Sequence, residues 1–495
     1  MNATNPTDYM DFGADAEAEG IATSTWAFPR LRIGSDQEIA RYVLDELAAT
    51  LGEIVIDEGA VWSWNATHWA AVEERDLRAK ISAWDGALTP GKKGTTIKIG
   101  ANKATSILSC ILLQVPEYQR HGFFAAAARG INCASGFVRI DDTGTATVEP
   151  HSPDHRARHC LSGRWHQTVD YRLAMGGSLI KKFLDGSVLH PLASPNGDGD
   201  EKVALLQEVA GVAAMGLGTR FAKFVLLYGP SAGNGKSQFL DMLRGLLPPS
   251  AVCSVAPSKF GDEKYSATMQ GRLLNAVDEI KGGWDGIEAD DFKTAIDGGV
   301  ITARRIYRDP VSFRATALNI AGANVLPSFK GGIDGGVRRR IIIVGFNRSI
   351  ANPDRECPDL VEHIGTRIAT EEADLLLSWA IEGACRIIRQ GAYTSPKSGR
   401  EIVEGWVLDS DPVAEWFYER CEVREGCRYK VQDVYQNFLD WCDDRKSVLR
   451  DTKLPRPKGF GDRIMGLNGA ISHGRCATAR LYVGLVIKDQ NGAVI

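Results

Sequence analysis

The sequence predicts an α/β fold in which helices flank a parallel sheet, with an α+β region before this core and a smaller helical region with a β-pair after it. Short apolar runs of strand length recur through the middle of the chain, at 224–228, 273–277, 317–321 and 341–344. Stretches with apolar residues at helical spacing stand between several of them. Alternating strands and helices of this kind are typical of parallel sheets with both faces covered.

Length and composition indicate a globular protein of several domains. At 495 residues the chain is too long for one core, and its 44% hydrophobic and 24% charged residues are ordinary values. The net charge of −4 does not indicate a nucleic-acid partner, so any such surface must be local. No apolar run approaches the roughly 18 residues of a transmembrane helix, and no secretory pattern is present. With ten scattered cysteines, we expect a cytoplasmic protein without a membrane partner.

Two regions precede the core. Residues 1–25 carry acidic side chains before any lysine or arginine, which predicts a disordered tail. Residues 26–195 predict an α+β domain, with a helical pattern at 39–51, strands at 54–56 and 61–64, and a helix at 106–115. The tryptophans of this domain are expected in its core.

A histidine-rich stretch ends this domain. The spacing of His151, His155, His159 and Cys160 would place the histidines on one face of a helix. Two prolines in the same stretch oppose a continuous helix, and no Cys-x-x-Cys pair accompanies it. A zinc site and a set of hydrogen-bonded loop histidines are both open, and the second is favoured.

A glycine-rich loop, GPSAGNGKS, joins the first apolar run of the core to a helix. Backbone N–H groups of such a loop, with the positive end of the helix dipole, cradle a polyphosphate. Lys236 is expected to reach the β- and γ-phosphates of ATP, and the Ser237 hydroxyl to ligate Mg²⁺. The predicted nucleotide-binding residues are Gly229, Pro230, Ser231, Ala232, Gly233, Asn234, Gly235, Lys236, Ser237 and Gln238.

The loop departs from the usual phosphate-loop pattern in one respect. Five residues, rather than four, separate Gly229 from Gly235, and Pro230 stands where the first glycine is expected. Either the loop is one residue longer than usual, or Gly229 only ends the strand.

Polar residues follow two later apolar runs. Asp278 and Glu279 come directly after the run at 273–277, and Asn324 follows the run at 317–321. Two carboxylates in this place predict an aspartate, Asp278, that holds Mg²⁺ and a base, Glu279, that polarises the attacking water. Asn324 can hydrogen-bond that water or the γ-phosphate, although a turn asparagine would give the same pattern.

Three arginines, Arg338, Arg339 and Arg340, stand just before the run at 341–344. They suit an arginine finger that acts on the nucleotide of a neighbouring subunit. A finger in trans requires a closed ring of subunits. The alternative is a solvated or ion-paired basic cluster.

A second arginine-bearing stretch predicts a hairpin. β-prone runs flank Arg308-Asp309-Pro310, which suits a turn. Arg304, Arg305 and Arg308 would then follow the phosphate backbone of single-stranded DNA without reading its sequence. A surface hairpin without a partner is the alternative.

Residues 401–495 predict two helices, a basic loop, a third helix and a strand, an order that suggests a winged-helix-like module. Between residues 445 and 480, nine lysines or arginines stand against two aspartates. This charge favours duplex or origin DNA as a partner, through Lys453, Arg456 and Lys458, and leaves a protein-docking surface as the alternative. A zinc site is disfavoured by the spacing of Cys421, Cys427, His473 and Cys476.

Taken in order, these motifs resemble those of superfamily 3 helicases, in particular the helicase half of phage P4-type and plasmid primase-helicases and the related D5-like proteins. The resemblance is carried by YGPSAGNGKSQFL, GRLLNAVDEI, FKTAIDGGVITARRIYRDPVSF, ALNIAGANVLPSF and GGVRRRIIIVGF. Within residues 131–160, VEPHSPDH is similar to the D5 N-terminal region. The resemblance covers about residues 45–350.

The resemblance implies an AAA+-like P-loop ATPase core at 196–400 that binds ATP and Mg²⁺. It matches Lys236, Ser237 and the acidic pair to the family's nucleotide and metal site, and Asn324 to its sensor. It leaves Arg339 or Arg340 as the finger. It also implies a homo-oligomeric, hexameric ring that moves along single-stranded DNA.

The sequence therefore predicts an ATP-dependent replicative DNA helicase of a phage, prophage or plasmid, acting in the cytoplasm of a bacterial host. We find no primase motif before the core and expect a separate primase or polymerase as partner. The alternative is a DNA-binding replication initiator that uses ATP hydrolysis as an assembly switch without processive unwinding. A primase is a third, disfavoured interpretation.

Overall fold

The computed structural model describes residues 30–90, 95–280, 286–304, 311–330, 332–350, 362–410, 412–444, 454–488 and 494. The predicted tail at 1–25 and the predicted DNA contacts Arg305, Arg308 and Lys453 lie outside the described residues. Contacts divide the chain into two compact units. The first consists of the described residues up to Ala128 with Ser152–Arg158, and the second of Arg129–His151 with the described residues from His159 onward.

In the first unit, helices pack with a three-stranded antiparallel sheet. Its elements are α1 (Asp36–Leu51), β1 (Ile54–Asp57), β2 (Ala60–Trp64), β3 (Trp69–Ala71), α2 (Glu74–Ser82) and α3 (Ala101–Leu113). α1 begins at a cap, because the Ser35 hydroxyl accepts a hydrogen bond from the Glu38 N–H. Trp69 is fully buried, as expected of a core tryptophan. The helices and strands predicted here are confirmed.

The chain enters the second unit before it reaches the central sheet. β4 (Gly130–Cys133), β5 (Gly136–Ile140) and β6 (Ala146–Glu149) form an antiparallel sheet, and α4 (Leu179–Leu184) and α5 (Gly199–Met215) follow. Ile131, Val138 and Phe183 share one buried cluster with residues of α5. The first unit is therefore shorter than the predicted domain at 26–195, because Ile131, Val138 and Phe183 are buried in the core of the second unit.

A five-stranded parallel sheet forms the centre of the second unit. The elements of this region are β7 (Phe224–Tyr228), α6 (Lys236–Leu246), β8 (Val252–Cys253), α7 (Glu263–Ser266), β9 (Leu274–Val277), α8 (Ala289–Ile296), β10 (Val300–Ala303), β11 (Val311–Arg314), β12 (Leu318–Ala323), α9 (Gly335–Arg338) and β13 (Ile341–Gly345). The sheet order is β13-β7-β12-β9-β8, and every neighbouring pair is parallel. β10 and β11 pair separately as an antiparallel hairpin.

Both faces of this sheet are buried. Val225 and Leu227 of β7 belong to one apolar cluster, and Phe224 and Leu226 belong to another. Successive side chains of a strand point to opposite faces, so each face of β7 has its own core. The predicted parallel sheet with flanking helices is confirmed.

Three helices follow the sheet, α10 (Ile364–Glu371), α11 (Ala373–Gln390) and α12 (Lys397–Ser410). α11 lies so close against α5 that position 383 has no room for a side chain. A Cβ added to Gly383 would lie 2.0 Å from the Gln207 carbonyl oxygen. Between these helices Glu208 is fully buried, and Arg386 donates to its carboxylate at 2.9 Å. Among the described helices, none combines the length and apolar character needed to cross a bilayer.

The last part of the second unit has the order helix, strand, helix, helix, strand, strand. Its elements are α13 (Pro412–Arg420), β14 (Cys421–Lys430), α14 (Val431–Asp444), α15 (Pro457–Leu467), β15 (Ser472–Arg475) and β16 (Arg480–Ile487), with sheet order β14-β16-β15. Trp416, Phe438 and Tyr482 are buried at its centre. We did not predict β14, because this edge strand is charged, largely exposed and interrupted by a register shift after Val423.

Candidate nucleotide-binding site

The glycine-rich loop lies between β7 and α6, as the sequence predicts. α6 begins at Lys236, and Gly235 before it has a φ of 96°, a conformation that favours glycine. A Cβ on Gly235 would also lie 2.7 Å from the Ser187 Oγ. This position therefore needs a glycine both for its backbone conformation and for the space around it.

Asn234 closes the loop on itself. It is buried, and its Nδ2 donates to the Ser231 carbonyl at 2.8 Å and to the Phe346 carbonyl at 3.1 Å. A Cβ on Gly229 would lie 2.1 Å from that same Nδ2. Gly229 therefore packs against the loop, and the Asn234 amide links Ser231 to Phe346.

Lys236 is the centre of a polar cluster. Its Nζ donates to Asn324 Oδ1 at 2.7 Å and to Asn234 Oδ1 at 3.0 Å. Asn324 in turn donates from Nδ2 to Glu279 Oε1 at 2.7 Å. Burial lowers the pKa of Lys236, and the Glu279 carboxylate opposes this shift. The structure thus brings together three of the predicted catalytic residues, Lys236, Asn324 and Glu279.

The order of the sheet explains this convergence. β7, β12 and β9 are adjacent and parallel, so their carboxyl ends meet at one edge. Main-chain bonds extend the pairing beyond the strands: Gly229 N–H donates to Ala323 O at 3.1 Å, and Ile280 N–H donates to Gly322 O at 2.9 Å. The loop, Asn324 and the acidic pair are therefore held by one continuous hydrogen-bonded edge.

Asp278 makes a different contact. Its carboxylate is 67% exposed and accepts a hydrogen bond from Arg244 of α6 at 2.7 Å. Arg244 also donates to Asp241 Oδ1 at 3.2 Å and to the Ala276 carbonyl at 3.1 Å. Arg244 was not predictable from the sequence, because helical periodicity marks the apolar face of α6 and not its polar contacts.

The protein side chains suited to a divalent cation are few. Within the described ranges, no group of three His, Cys, Asp or Glu side chains could hold a metal ion. Ser237 is exposed in the first turn of α6, and Asp278 is also largely exposed. One hydroxyl and one carboxylate fit Mg²⁺, which is commonly bound by one or two protein ligands together with phosphate oxygens and water.

Gln238 contacts α10, since its Oε1 accepts from Gly365 N–H at 3.0 Å.

The segment after β13 lies along the loop, which the sequence did not indicate. Ile350 N–H donates to the Gly233 carbonyl at 2.7 Å, and Ser349 Oγ donates to the Ala232 carbonyl at 3.0 Å. Arg348 is buried and donates to the Gly186 carbonyl at 2.7 Å. These contacts supply hydrogen-bond donors to two carbonyl groups of the loop and to the carbonyl group of Gly186.

The three consecutive arginines have different environments. Arg340 is buried and forms a two-pronged contact with Asp297, with one N···O distance of 2.6 Å. Arg338 lies 3.8 Å from Glu404. Arg339 is exposed, and with Arg338 and Arg400 it lines a cavity of about 280 Å³ at the start of β13. Of the two predicted finger residues, Arg340 has a structural contact and Arg339 faces solvent.

The two arms of the predicted hairpin are present as β10 and β11. Ile301 pairs with Phe313 in register, and both side chains are buried. Arg304 is exposed at the end of the first arm. Arg305 and Arg308, which the sequence predicts to follow DNA from this hairpin, lie outside the described residues.

The C-terminal basic residues come from four elements, α15, β14, β15 and β16. Arg456 and Lys458 are exposed at the start of α15. Arg428 and Lys430 are exposed on β14, and they were not among the predicted contacts because that strand was not predicted. Arg475 pairs directly with Arg480 across β15 and β16. Two like charges in one cross-strand pair disfavour the sheet.

The two candidate zinc clusters do not assemble among the described residues. His151 Nδ1 lies 2.9 Å from Asn132 Oδ1, and His159 Nε2 lies 2.9 Å from the Gly271 carbonyl. This arrangement supports the interpretation of hydrogen-bonded loop histidines. In the C-terminal set, His473 stacks on Tyr482, and Cys476 is exposed.

Residues 227–340 match a family described as a family of unknown function, DUF5906. The matched segment contains the loop, the acidic pair, Asn324 and the arginine run, and it covers less than half of the chain. None of the curated proteins matches.

Among solved structures, the chain is similar to two apo structures of the NrS-1 C-terminal region. Identity is 10% in both, with 90% and 89% of this chain and 98% of those chains covered, at TM-scores of 0.41 and 0.38. It is also similar to JCV helicase with a bound small molecule, at 11% identity and a TM-score of 0.26, over 46% of this chain and 60% of that one.

Proposed function

We propose that this protein is an ATP-dependent DNA helicase that acts in DNA replication. The observation that carries the proposal is the cluster of Lys236, Asn324 and Glu279 at the carboxyl ends of adjacent parallel strands. A loop lysine, an amide and a carboxylate are the groups that phosphoanhydride hydrolysis needs to bind phosphates, orient water and accept a proton.

The residues of the chain have separate roles in this scheme. Loop N–H groups and the start of α6 bind the phosphates of ATP. Lys236 exchanges its contact with Asn324 for a phosphate oxygen, which leaves the Asn324 amide free to orient water. Glu279 accepts the proton of that water. Bound Mg²⁺ would neutralise phosphate charge, and Ser237 and Asp278 are the side chains that would hold it.

Arg339 is the proposed arginine finger. It lies at the amino end of β13, whereas the phosphate loop lies at the carboxyl end of the paired strand β7. Arg340, fixed on Asp297, anchors the run and leaves Arg339 at the surface. An arginine at the opposite end of the sheet suits the nucleotide of a second copy, which supports a homo-oligomeric ring such as a hexamer.

DNA contacts are proposed for two surfaces. The β10–β11 hairpin, with Arg304, Arg305 and Arg308, would follow a single strand of DNA. The element order of the C-terminal region supports the proposal of a winged-helix-like module, and its exposed basic residues would bind duplex or origin DNA. The basic residues proposed to contact duplex DNA are Arg428, Lys430, Lys453, Arg456, Lys458, Arg475 and Arg480. A separate primase or polymerase would supply synthesis.

ATP hydrolysis with and without single-stranded DNA, together with strand displacement on a forked duplex, tests the proposal. Wild-type protein should show both activities, and Lys236→Ala should lose both. Lys397→Ala, at a mostly exposed lysine far along the chain in α12, is the matched control. Wild-type protein that does not hydrolyse ATP would contradict the proposal.

A replication initiator with an ATP-driven assembly switch is the second candidate, favoured by the basic C-terminal surface. Arg308→Ala separates the two functions. A helicase should lose unwinding and keep nucleotide binding, whereas an initiator should keep DNA-stimulated assembly.

A further inference from the structure

We propose that Arg244 is a positioning residue of the nucleotide site, whose guanidinium holds the Asp278 carboxylate in the metal-free protein and competes with Mg²⁺ for it. The inference rests on the proposed function, because it assumes that ATP and Mg²⁺ bind at the loop. Arg244 belongs to none of the sequence motifs and has no role in the proposed reaction.

The contacts of Arg244 define a shared donor. Its NH1 donates to Asp278 Oδ1 at 2.7 Å and to Asp241 Oδ1 at 3.2 Å, while its NH2 donates to the Ala276 carbonyl at 3.1 Å. When a cation takes Asp278, the guanidinium gives up one of these three contacts. Asp241 and the Ala276 carbonyl still hold it, so release requires no rearrangement of α6.

The charges at the carboxyl end of β9 show why a cation is needed there. Asp278 and Glu279 are consecutive carboxylates, and like charges at this distance repel each other. Glu279 is linked through the Asn324 amide to the Lys236 ammonium group. Asp278 has the Arg244 guanidinium as its partner at 2.7 Å. Without bound metal, each carboxylate of the pair is thus connected to a different cation.

Two neighbouring substitutions should shift Mg²⁺ affinity in opposite directions. Arg244→Gln frees Asp278 and removes a positive charge that repels the metal, so both effects tighten Mg²⁺ binding. Asp241→Asn removes the second carboxylate that holds Arg244 and strengthens its pairing with Asp278, so Mg²⁺ binding weakens. The Arg244–Asp278 pair is partly exposed, and partly exposed ion pairs change an equilibrium by up to about fivefold.

The experiment is a Mg²⁺ titration of nucleotide binding to the full chain. A fluorescent, slowly hydrolysed ATP analogue reports binding, first with EDTA and then with increasing Mg²⁺. The measured quantities are the metal-free nucleotide affinity and the Mg²⁺ concentration that gives half of the metal-dependent change. Arg244→Lys keeps the charge and should stay close to wild type. Arg367→Gln, at an exposed arginine paired with Glu371, is the matched control.

The expected result is a half-saturating Mg²⁺ concentration about two- to fivefold lower in Arg244→Gln and higher in Asp241→Asn, with metal-free nucleotide affinity unchanged. If Arg244 only joined α6 to β9, Arg244→Gln would lower thermal stability and weaken metal-free binding without a Mg²⁺-linked change, which overturns the inference. An unchanged or higher Mg²⁺ requirement in Arg244→Gln also overturns it. Wild-type protein that binds no nucleotide would overturn the proposed function as well.

Discussion

Mixing two inactive variants tests whether Arg339 acts across a subunit boundary. Lys236→Ala removes the loop lysine and keeps Arg339. Arg339→Ala removes the arginine and keeps Lys236. Ile341 pairs with Phe224 and Gly345 pairs with Tyr228, so Arg339 and the loop lie beyond opposite ends of the paired strands. Four residue steps of about 3.3 Å separate these ends, a span of about 13 Å before the flanking residues are added. Arg339 would therefore not reach phosphates held by the loop of its own chain.

The size of the recovery follows from this geometry. Each variant alone should hydrolyse ATP at least about 1000-fold more slowly than wild type, the usual effect of losing an arginine finger or a phosphate-binding lysine. A competent interface in a mixed ring needs the loop of an Arg339→Ala subunit and the arginine of a Lys236→Ala subunit. With equal amounts and random assembly around a ring, about one interface in four meets this condition.

The assay is steady-state ATP hydrolysis with single-stranded DNA after joint reassembly of the two variants, with ring size checked by light scattering. The mixture should approach a quarter of the wild-type rate. Arg367→Ala, mixed with wild type in the same way, controls for the handling of the protein. Mixed rings that hydrolyse ATP no faster than the sum of the two variants would refute action in trans.

Three further predictions concern single positions. Arg340→Ala should lower the free energy of unfolding by about 1–3 kcal/mol, because it leaves a partly buried carboxylate without its two-pronged partner, as thermal denaturation can measure. Gly229→Ala should abolish nucleotide binding in an equilibrium titration, because its Cβ has no room, whereas Gly176→Ala, with open space, should bind normally. The double substitution Arg428→Gln and Lys430→Gln should weaken duplex binding and reduce the slope of log affinity against log salt by about 2.

Each of these three predictions has a clear contrary outcome. An unchanged melting temperature for Arg340→Ala would show that its contact with Asp297 does not stabilise the fold. Normal nucleotide binding by Gly229→Ala would show that the loop tolerates a shift of Asn234. An unchanged salt dependence in the double variant would remove β14 from the DNA-binding surface.

Local patterns were sufficient to predict the elements of the candidate nucleotide site. The strand, the glycine-rich loop and the helix around residues 224–246 were predictable, because apolar run length, glycine content and helical spacing are properties of neighbouring residues. Asn324 was predictable for the same reason, since it directly follows a buried strand. The hairpin arms of β10 and β11 also follow from β-prone runs on both sides of a turn.

Contacts between distant residues could not be predicted in this way. Three adjacent arginines give no sign of which one turns inward, and the answer depends on Asp297, which belongs to the end of another helix. The adjacent positions of Asp278 and Glu279 do not indicate their side-chain partners, yet one contacts Arg244 and the other contacts Asn324. β14 was missed because its residues are stabilised by pairing with β16 and carry little apolar alternation of their own.

The sequence by itself determined that this protein has a parallel α/β core with a glycine-rich loop between a strand and a helix, since each strand, loop and helix is encoded by the residues within it. Only the tertiary structure decided which polar side chains meet. The sheet order β13-β7-β12-β9-β8 places Lys236, Asn324 and Glu279 at one edge and Arg339 at the other. The physical reason is that strand order and side-chain partners depend on packing between segments far apart in the chain, which no local pattern records.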